Sequence, residues 1–306
     1  MRYCRLGNTD ISVSVVGLGG WGFCSGYDWS NQNVPDVCSV VSAAQDAGIN
    51  WIDTAPVYEQ SEPLLAEALK GRRNRFILAT KCGLVKKDAW NIHDLRKETL
   101  ITQCENSLRS LQTDYVDVYQ IHYPHASVPL EEAVETLYLL KKQGKIRAAG
   151  ICNVSARQLA ALSVPVACIQ NEFSLLRPRA GKEVFETCRQ KGISFIGYGT
   201  LCGGILSGKY KKEPNFRRAD ARNYFYKCYK GASFENTLPL IKRVCETARQ
   251  HACLPAQVSI GWALSHPSVS SVLTGAKTPQ QILQNAQGSE VVLTEREVEF
   301  LERGND

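Results

Sequence analysis

The sequence predicts an α/β fold of the closed-barrel kind, a (β/α)8 TIM barrel in one domain spanning residues 1–306. Three observations carry that expectation. Short apolar runs of strand length alternate with helical patterns, and the alternation repeats eight times along the chain. No linker or shift in composition divides it. Ionisable residues stand at the C-terminal ends of several apolar runs, where parallel α/β folds place their chemistry. Eight strands, each followed by a helix, imply closure on themselves rather than an open sheet.

The elements follow in order. Tyr3 to Ser14 reads as a small hairpin turning at Gly7-Asn8, and Val13–Leu18 as the first strand. The strand runs into GLGGWG, Gly17 to Gly22, which matches the G-x-G-x-x-G spacing of a dinucleotide-binding turn. That fingerprint needs a helix to open at once, with its N-terminus facing the pyrophosphate. Here a polar stretch, FCSGYDWSNQNVP, follows instead, so the match is set aside. A helix covers Pro35–Ala47 and stops at Gly48. Strand two, Ile49–Ile52, ends on Asp53, and Tyr58 follows on the next turn before a Glu62–Lys70 helix. Strand three, Phe76–Thr80, ends in Lys81. Lys97–Leu111 places Leu100, Cys104, Leu108 and Leu111 on one helical face. Strand four, Tyr115–Ile121, ends in His122, and Leu130–Gln143 is the helix behind it. Strand five is Ile146–Ile151, after which Ser155 and Gln158 form a capping box. Strand six is Val166–Gln170, a helix spans Lys182–Gln190, and strand seven is Ser194–Tyr198. Helices Leu238–Gln250 and Ala256–Leu264 precede strand eight, Val269–Leu273. Thr278, Pro279 and Gln281 open another helix as N-cap, N1 and N3, and Thr294 with Glu297 caps the last.

The bulk numbers exclude several classes. With 44% apolar residues the chain can bury a core, yet it holds no apolar run of membrane-spanning length. Its N-terminus, MRYCRLGNTD, has no apolar signal region, so a cytoplasmic location is expected. The net charge of +6 comes from basic residues spread along the chain, which fits an anionic cofactor better than nucleic acid. Twelve cysteines contain no CxxC pair, so they read as reduced, buried thiols rather than disulfides or a metal cluster.

Asp53, Tyr58, Lys81 and His122 thus fall at the ends of three neighbouring strands. Asp53, Lys81 and His122 each have a plain reading alone: a turn aspartate, a strand-end salt bridge, a core histidine. Together they make an acid–base device. A tyrosine has an ordinary pKa of about 10 and is a poor acid at neutral pH. A neighbouring ammonium, Lys81, pulls that value down, and Asp53 supplies the counter-charge a buried lysine needs. His122 can hydrogen-bond and orient a carbonyl, to which Tyr58 gives a proton. No side chain donates hydride, so reduction of that carbonyl requires a hydride-donating cofactor. His122 and His125 form HxxH, but on a strand end with no third ligand in spacing, so no metal is expected.

The motifs DTAPVY, ATKCG, QIHYP, GKIRAAGICNVS and TGAKTPQQILQN occur in one order that resembles the aldo-keto reductase family. The resemblance runs from RLGNTDISVSVVGLG to the last helix. It implies a hairpin closing the barrel bottom, catalysis by Asp53, Tyr58, Lys81 and His122, and NADP (NADPH) as the usual donor with no metal. It places Asn153 and Gln170 at the nicotinamide amide and Tyr198 against the nicotinamide ring. Leu201, Gly203, Leu206, Gly208 and Lys209 fall at the pyrophosphate segment, whose glycines let backbone N–H groups approach phosphate. Lys277 and Gln281 match positions at the adenosine 2′-phosphate and Asn285 one at adenine, with an anion favoured at the helix start. For Gln281 and Asn153 the plain alternatives are a helix-capping residue and a turn residue.

Lys209–Lys230, a long basic and aromatic loop, contains NFRRADAR, which resembles a segment of the bacterial general-stress and inositol-cluster reductases. It is expected to lie over the cofactor or the substrate pocket. Pocket-wall candidates are Trp21, Trp51 or Tyr27, Trp90 and His125. The chain departs from the family after Tyr58, where Glu59-Gln60-Ser61-Glu62 replaces a longer, glycine-containing loop. Glu59 would raise the pKa of the phenol if it lay close. Cys152 stands where the family commonly has serine. The reading is therefore an NADP-dependent oxidoreductase interconverting an aldehyde, ketone or sugar with an alcohol. The alternative is a cofactor-binding regulatory protein of the same fold with little turnover, for which the shortened loop is the support.

Overall fold

In a computed structural model, which describes residues 1–24, 36–87 and 90–304, eight parallel strands close into a barrel. They are β1 (Val16–Gly19), β2 (Trp51–Asp53), β3 (Ile77–Cys82) and β4 (Val116–Ile121). The circle continues through β5 (Ile146–Cys152), β6 (Cys168–Glu172), β7 (Ser194–Tyr198) and β8 (Val269–Thr274), and β8 returns to pair with β1. Register sets which side chains meet inside: Lys81 lies opposite Gln120, Gln120 opposite Gly150, and Gln170 opposite Cys152. The helices pack outside, their apolar faces on the outer strand residues in one continuous core.

The N-terminal hairpin pairs Tyr3–Arg5 with Ser12–Ser14, so Val13 belongs to it and β1 starts three residues later than expected from the apolar run. Leu6, Ile11 and Val13 are buried against the lower barrel interior, with Trp51, Ala79, Val118, Ala148, Ile196 and Leu273. The Gly7 amide donates to Ser194 Oγ at 2.8 Å, which fixes the turn under β7. This plug closes the bottom, so chemistry is confined to the other mouth.

The expected Pro35–Ala47 helix is described as Val37–Asp46, capped by Asp36; Pro35 lies outside the described residues. All twelve cysteines are free. No helix among the described residues is long and apolar enough to cross a membrane.

Two glycines of Gly17–Gly22, Gly17 and Gly20, have packing reasons. A Cβ on Gly17 would stand 2.1 Å from Trp51 Cδ1 and 2.8 Å from Leu273 Cδ2. One on Gly20 would stand 2.7 Å from Ser61 Oγ. The chain then makes a single 3-10 turn, Gly20–Phe23, rather than a long helix. Gly17→Ala is accordingly expected to cost about 1–3 kcal/mol by overpacking. Urea unfolding checks this, and an unchanged midpoint would show that the indole has room to move.

Candidate active site

The strand ends bring Asp53, Tyr58, Lys81 and His122 into one cluster. Asp53 is the last residue of β2, and the next residue, Thr54, continues the pairing through its amide to Ala79 O at 2.9 Å. Pro56–Tyr58 then forms one 3-10 turn that carries the phenol back over the barrel mouth. Glu59 takes the left-handed region, φ 52°, so the short loop reverses without a glycine. The following helix is pinned at once: Ser61 Oγ lies 2.8 Å from Thr54 Oγ1 and donates to Gly20 O at 3.0 Å. Glu62 accepts from the Thr80 hydroxyl at 2.7 Å.

Lys81 enters from β3 and is 1% exposed. Its ammonium is ion-paired with Asp53 Oδ2 and donates to Thr54 O at 3.0 Å and Tyr58 Oη at 3.4 Å. Because the phenol oxygen accepts from Lys81, its own proton is left to point elsewhere. The Tyr58 and His122 rings meet edge-on with centroids 5.8 Å apart. The shortened loop therefore keeps Tyr58 within reach of Lys81. Glu59 turns its carboxylate to Lys86, 2.6 Å away on a neighbouring hairpin.

Burial dominates the acid–base balance. It opposes charge on Lys81, but Asp53, Tyr58 and Cys152 together outweigh it, and the ammonium is held above the ordinary lysine value. Burial pushes Tyr58 up, Lys81 pulls it down, and the net direction is up. The sequence expectation of a lowered phenol pKa is thus corrected: the lysine acts as foreseen, but taking a phenolate out of water costs more. Burial, then the Lys81 charge, then His93 hold His122 well below the usual imidazole range. At neutral pH the cluster is a neutral phenol and imidazole around an ammonium–carboxylate pair.

Of the cofactor candidates, Asn153 adopts φ 55° and joins three strand ends. Its Nδ2 donates to His122 O at 2.9 Å, and its Oδ1 accepts from Tyr198 Oη at 2.6 Å. Its backbone amide donates to Gln170 O at 3.0 Å. Gln170 turns inward, donating to Asp53 Oδ1 at 2.8 Å. Cys152 is buried, and its thiol donates to Gln120 Oε1 at 3.6 Å. Leu201 precedes a 3-10 segment, Cys202–Ser207, in which Leu206 is buried and Gly203 and Gly204 have φ 65° and 101°. Gly208, φ 70°, ends it. Gln281 does carry out a capping role: its Oε1 accepts from the Lys277 amide at 2.8 Å while its own amide donates to Thr278 Oγ1. Asn285 is buried and donates to Gly275 O at 3.2 Å.

Several participants escaped the sequence reading. Gln120 donates to Asp53 Oδ1 at 3.0 Å. Its signal was visible, since Gln120 shares inward parity with Val118 and His122 on an apolar strand. A hairpin, Leu84–Lys87 with Trp90–His93, also rises beside the mouth. It brings His93 into a parallel stack with His125, centroids 4.7 Å apart, while Tyr123 stacks on His122 at 5.1 Å.

The pocket-wall candidates divide. Trp21 stands 6.4 Å from Tyr58, ring to ring. Trp51 is fully buried in the lower barrel and lines no pocket, because it lies one inward layer below Asp53. Trp90 is 78% exposed, and Tyr27 lies outside the described residues. The Lys209–Lys230 stretch is no bare loop. It includes helical turns at Arg222–Phe225 and Lys227–Tyr229 and a small core of its own. There Arg222 stacks on Phe216 at 3.8 Å, pairs with buried Asp220 at 2.6 Å and donates to Tyr210 Oη at 2.6 Å. Phe225 meets Trp21 edge-on at 5.0 Å, and Tyr226 covers Gly203.

The residues fit a dinucleotide on structural grounds. The backbone of Gly204 faces Lys209, whose Nζ would lie 3.5 Å from a Cβ on Gly204. Partial burial, then neighbouring Arg222, push the Lys209 ammonium below its ordinary value, which a bound anion would relieve. Thr200 Oγ1, just before this segment, is buried without a protein partner.

A closed parallel barrel carrying a buried Lys–Asp pair under a tyrosine and a neutral histidine at its C-terminal mouth defines a class of nicotinamide-dependent oxidoreductases. The sequence pattern of the Aldo/keto reductase family matches residues 15–305, and the chain belongs to that family. It is similar to the aldo-keto reductase YhdN of Bacillus subtilis, with 34% identity covering 92% of this chain and 87% of that one. It is also similar to the NADH-specific methylglyoxal reductase of Escherichia coli, with 30% identity covering 98% of this chain and 97% of the relative. Among solved structures, the glycerol dehydrogenase AKR11B4 from Gluconobacter oxydans superposes with a TM-score of 0.88 at 29% identity, covering 98% and 94% of the two chains. The protein is thus an NAD(P)H-dependent enzyme of carbonyl–alcohol chemistry.

Proposed function

We propose that this single-domain barrel reduces a small aldehyde, ketone or sugar carbonyl with NADPH, Tyr58 acting as general acid and, in the reverse direction, as general base. The observation that carries the reading is the Lys81 ammonium, fixed by Asp53 and donating to Tyr58 Oη at 3.4 Å. A nicotinamide, when bound there, would supply hydride to the carbonyl carbon. Tyr58 gives its proton to the carbonyl oxygen, and Lys81 steadies the charge that develops on the phenol oxygen. Neutral His122 offers a hydrogen bond that orients the carbonyl. The overall change is carbonyl plus NAD(P)H plus a proton to alcohol plus NAD(P)+.

Asn153, Gln170 and Tyr198 would hold the nicotinamide end, the 201–209 segment the pyrophosphate, and Lys277, Gln281 and Asn285 the adenosine end. Burial raises Asp220, but Arg222 and then Lys277 hold its carboxyl below the usual range, so the Lys209–Lys230 segment reaches across toward Lys277. Methylglyoxal and glycerol, in the names of two relatives, are both three-carbon compounds, and they set the first substrate panel. The low-turnover alternative loses its support, since the short loop leaves Tyr58 on Lys81.

The test is a nicotinamide-fluorescence titration with NADPH and NADH, followed by turnover on methylglyoxal, glyceraldehyde and longer aldehydes, and on glycerol with the oxidised cofactors. Binding with turnover is expected, and binding without turnover on any carbonyl or alcohol would return weight to the regulatory reading. Lys277→Met is expected to weaken NADPH binding by about 10-fold or more while sparing NADH, the loss of one charge-assisted contact to a phosphate. Equal weakening of both cofactors would remove Lys277 from the 2′-phosphate.

A further inference from the structure

We propose that Gln120 is a positioning residue of the site, the donor that holds the Asp53 carboxylate in place for Lys81 while Gln170 is drawn to the cofactor. The inference rests on the functional reading above and extends it to a residue outside the catalytic four. Asp53 Oδ2 takes the Lys81 ammonium. Its other oxygen, Oδ1, accepts from two amides, Gln120 Nε2 at 3.0 Å and Gln170 Nε2 at 2.8 Å. Asp53, Gln120 and Gln170 come from β2, β4 and β6, alternate strands whose inward residues share one layer of such a barrel. Below that layer the interior is apolar, so this is its polar lid.

The two glutamines are not equivalent. Gln170 lies against Asn153 and is assigned to the nicotinamide amide, so its side chain has a second claim on it. Gln120 is fully buried in mid-strand, and its Oε1 accepts from Gln170 Nε2 at 3.3 Å and from Cys152 Sγ at 3.6 Å. With two donors facing its oxygen, the amide satisfies every partner only when its nitrogen faces Asp53. Gln120 is therefore locked in the orientation that serves the carboxylate. Without it, Oδ1 would lose its constant donor, and the carboxylate could rotate away from the ammonium.

Lys81 is where the effect is read. The titratable groups around it are Asp53, Tyr58, Cys152, His122, Tyr123 and Glu62. Of these, Asp53 contributes most, ahead of Tyr58 and Cys152, to holding the proton on Lys81 against burial. A loosened Asp53 lets Lys81 lose that proton at lower pH, and the alkaline limb of carbonyl reduction moves down with it.

Gln120→Met keeps the volume and removes the donor. Its kcat is expected to fall about 10- to 100-fold with KM for NADPH unchanged, and its alkaline limb to move about one unit lower. Gln120→Glu keeps the shape and either donates when protonated or adds an anion near Lys81. Its limb is expected at or above the wild-type position. The Lys81 side chain, followed by NMR of lysine-labelled protein without cofactor and assigned with Lys81→Met, should titrate with the same signs. That readout needs no turnover. A wild type that reduces nothing sinks the functional reading alone, while the Lys81 titration still decides on Gln120. Identical Lys81 titration in the wild type and Gln120→Met overturns the proposal. So does a Gln120→Met that melts earlier but keeps the wild-type limb. Where Gln120→Met fails to fold, a Gln120→Glu limb below the wild type overturns it as well.

Discussion

Tyr58→Phe is expected to lower carbonyl turnover by about 100- to 10,000-fold while leaving NADPH binding nearly unchanged, the usual share of a positioned general acid. The phenol is half-buried at the mouth, its oxygen occupied by Lys81 and its proton free for a substrate oxygen. Phenylalanine keeps the ring, which faces His122 and Trp21, so the pocket keeps its shape. Only the proton and its oxygen are lost. The fall should therefore appear in kcat far more than in KM, as for an interaction made in the transition state. Steady-state rates on the best carbonyl of the panel, with fluorescence titration of cofactor, measure both. A Tyr58→Phe enzyme turning over within a few-fold of wild type would transfer the acid role to another group, with His122 the nearest.

The second large effect falls on stability. Lys81→Met is expected to cost about 3–5 kcal/mol, because it leaves a buried carboxylate without its counter-charge. Lys81 and Asp53 are both buried, so water cannot take over the role of partner. The two glutamine donors to Asp53 remain and soften the loss without replacing a charge. Asp53→Asn, leaving the ammonium alone, should be destabilised comparably. The double variant Asp53→Asn with Lys81→Met should recover much of the loss, since breaking a buried pair costs more than removing it. Denaturant unfolding of the four chains closes the cycle. Additive losses in the double variant would show that the pair contributes no coupling.

What was legible in the sequence was what periodicity and strand ends encode. The eight strands announced themselves as apolar runs between helical patterns. Asp53, Lys81 and His122 were visible because each sits where an apolar run stops. Gln281 showed its capping spacing, and the structure gives it that use. The losses have physical reasons. Trp51 sits beside Asp53 in sequence and shares its parity, yet one step down a strand is one layer deeper in the barrel, below the mouth. Gln120 was passed over because an amide inside an apolar run carries no charge to advertise it. The second strand of the Leu84–Lys87 and Trp90–His93 hairpin has no buried face to impose alternation: all four residues of Trp90–His93 are exposed. The Lys209–Lys230 stretch hid its core because Arg222 and Asp220, ordinarily surface residues, are buried by pairing with each other. The pKa direction of Tyr58 depended on burial, which no local spacing reports.

Gly17 and Trp51 illustrate a constraint of inheritance. The indole occupies the space that a side chain on Gly17 would need, across the β1–β2 seam of the barrel. Gly17 cannot enlarge while the indole stays in place, so changes at the two positions are tied to one order. A descendant with a larger residue at 17 must already carry a smaller one at 51, and the intermediate with both large residues is the costly step between them. Gly17, the first glycine of the run that mimics a nucleotide-binding turn, is thus maintained by the tryptophan it accommodates.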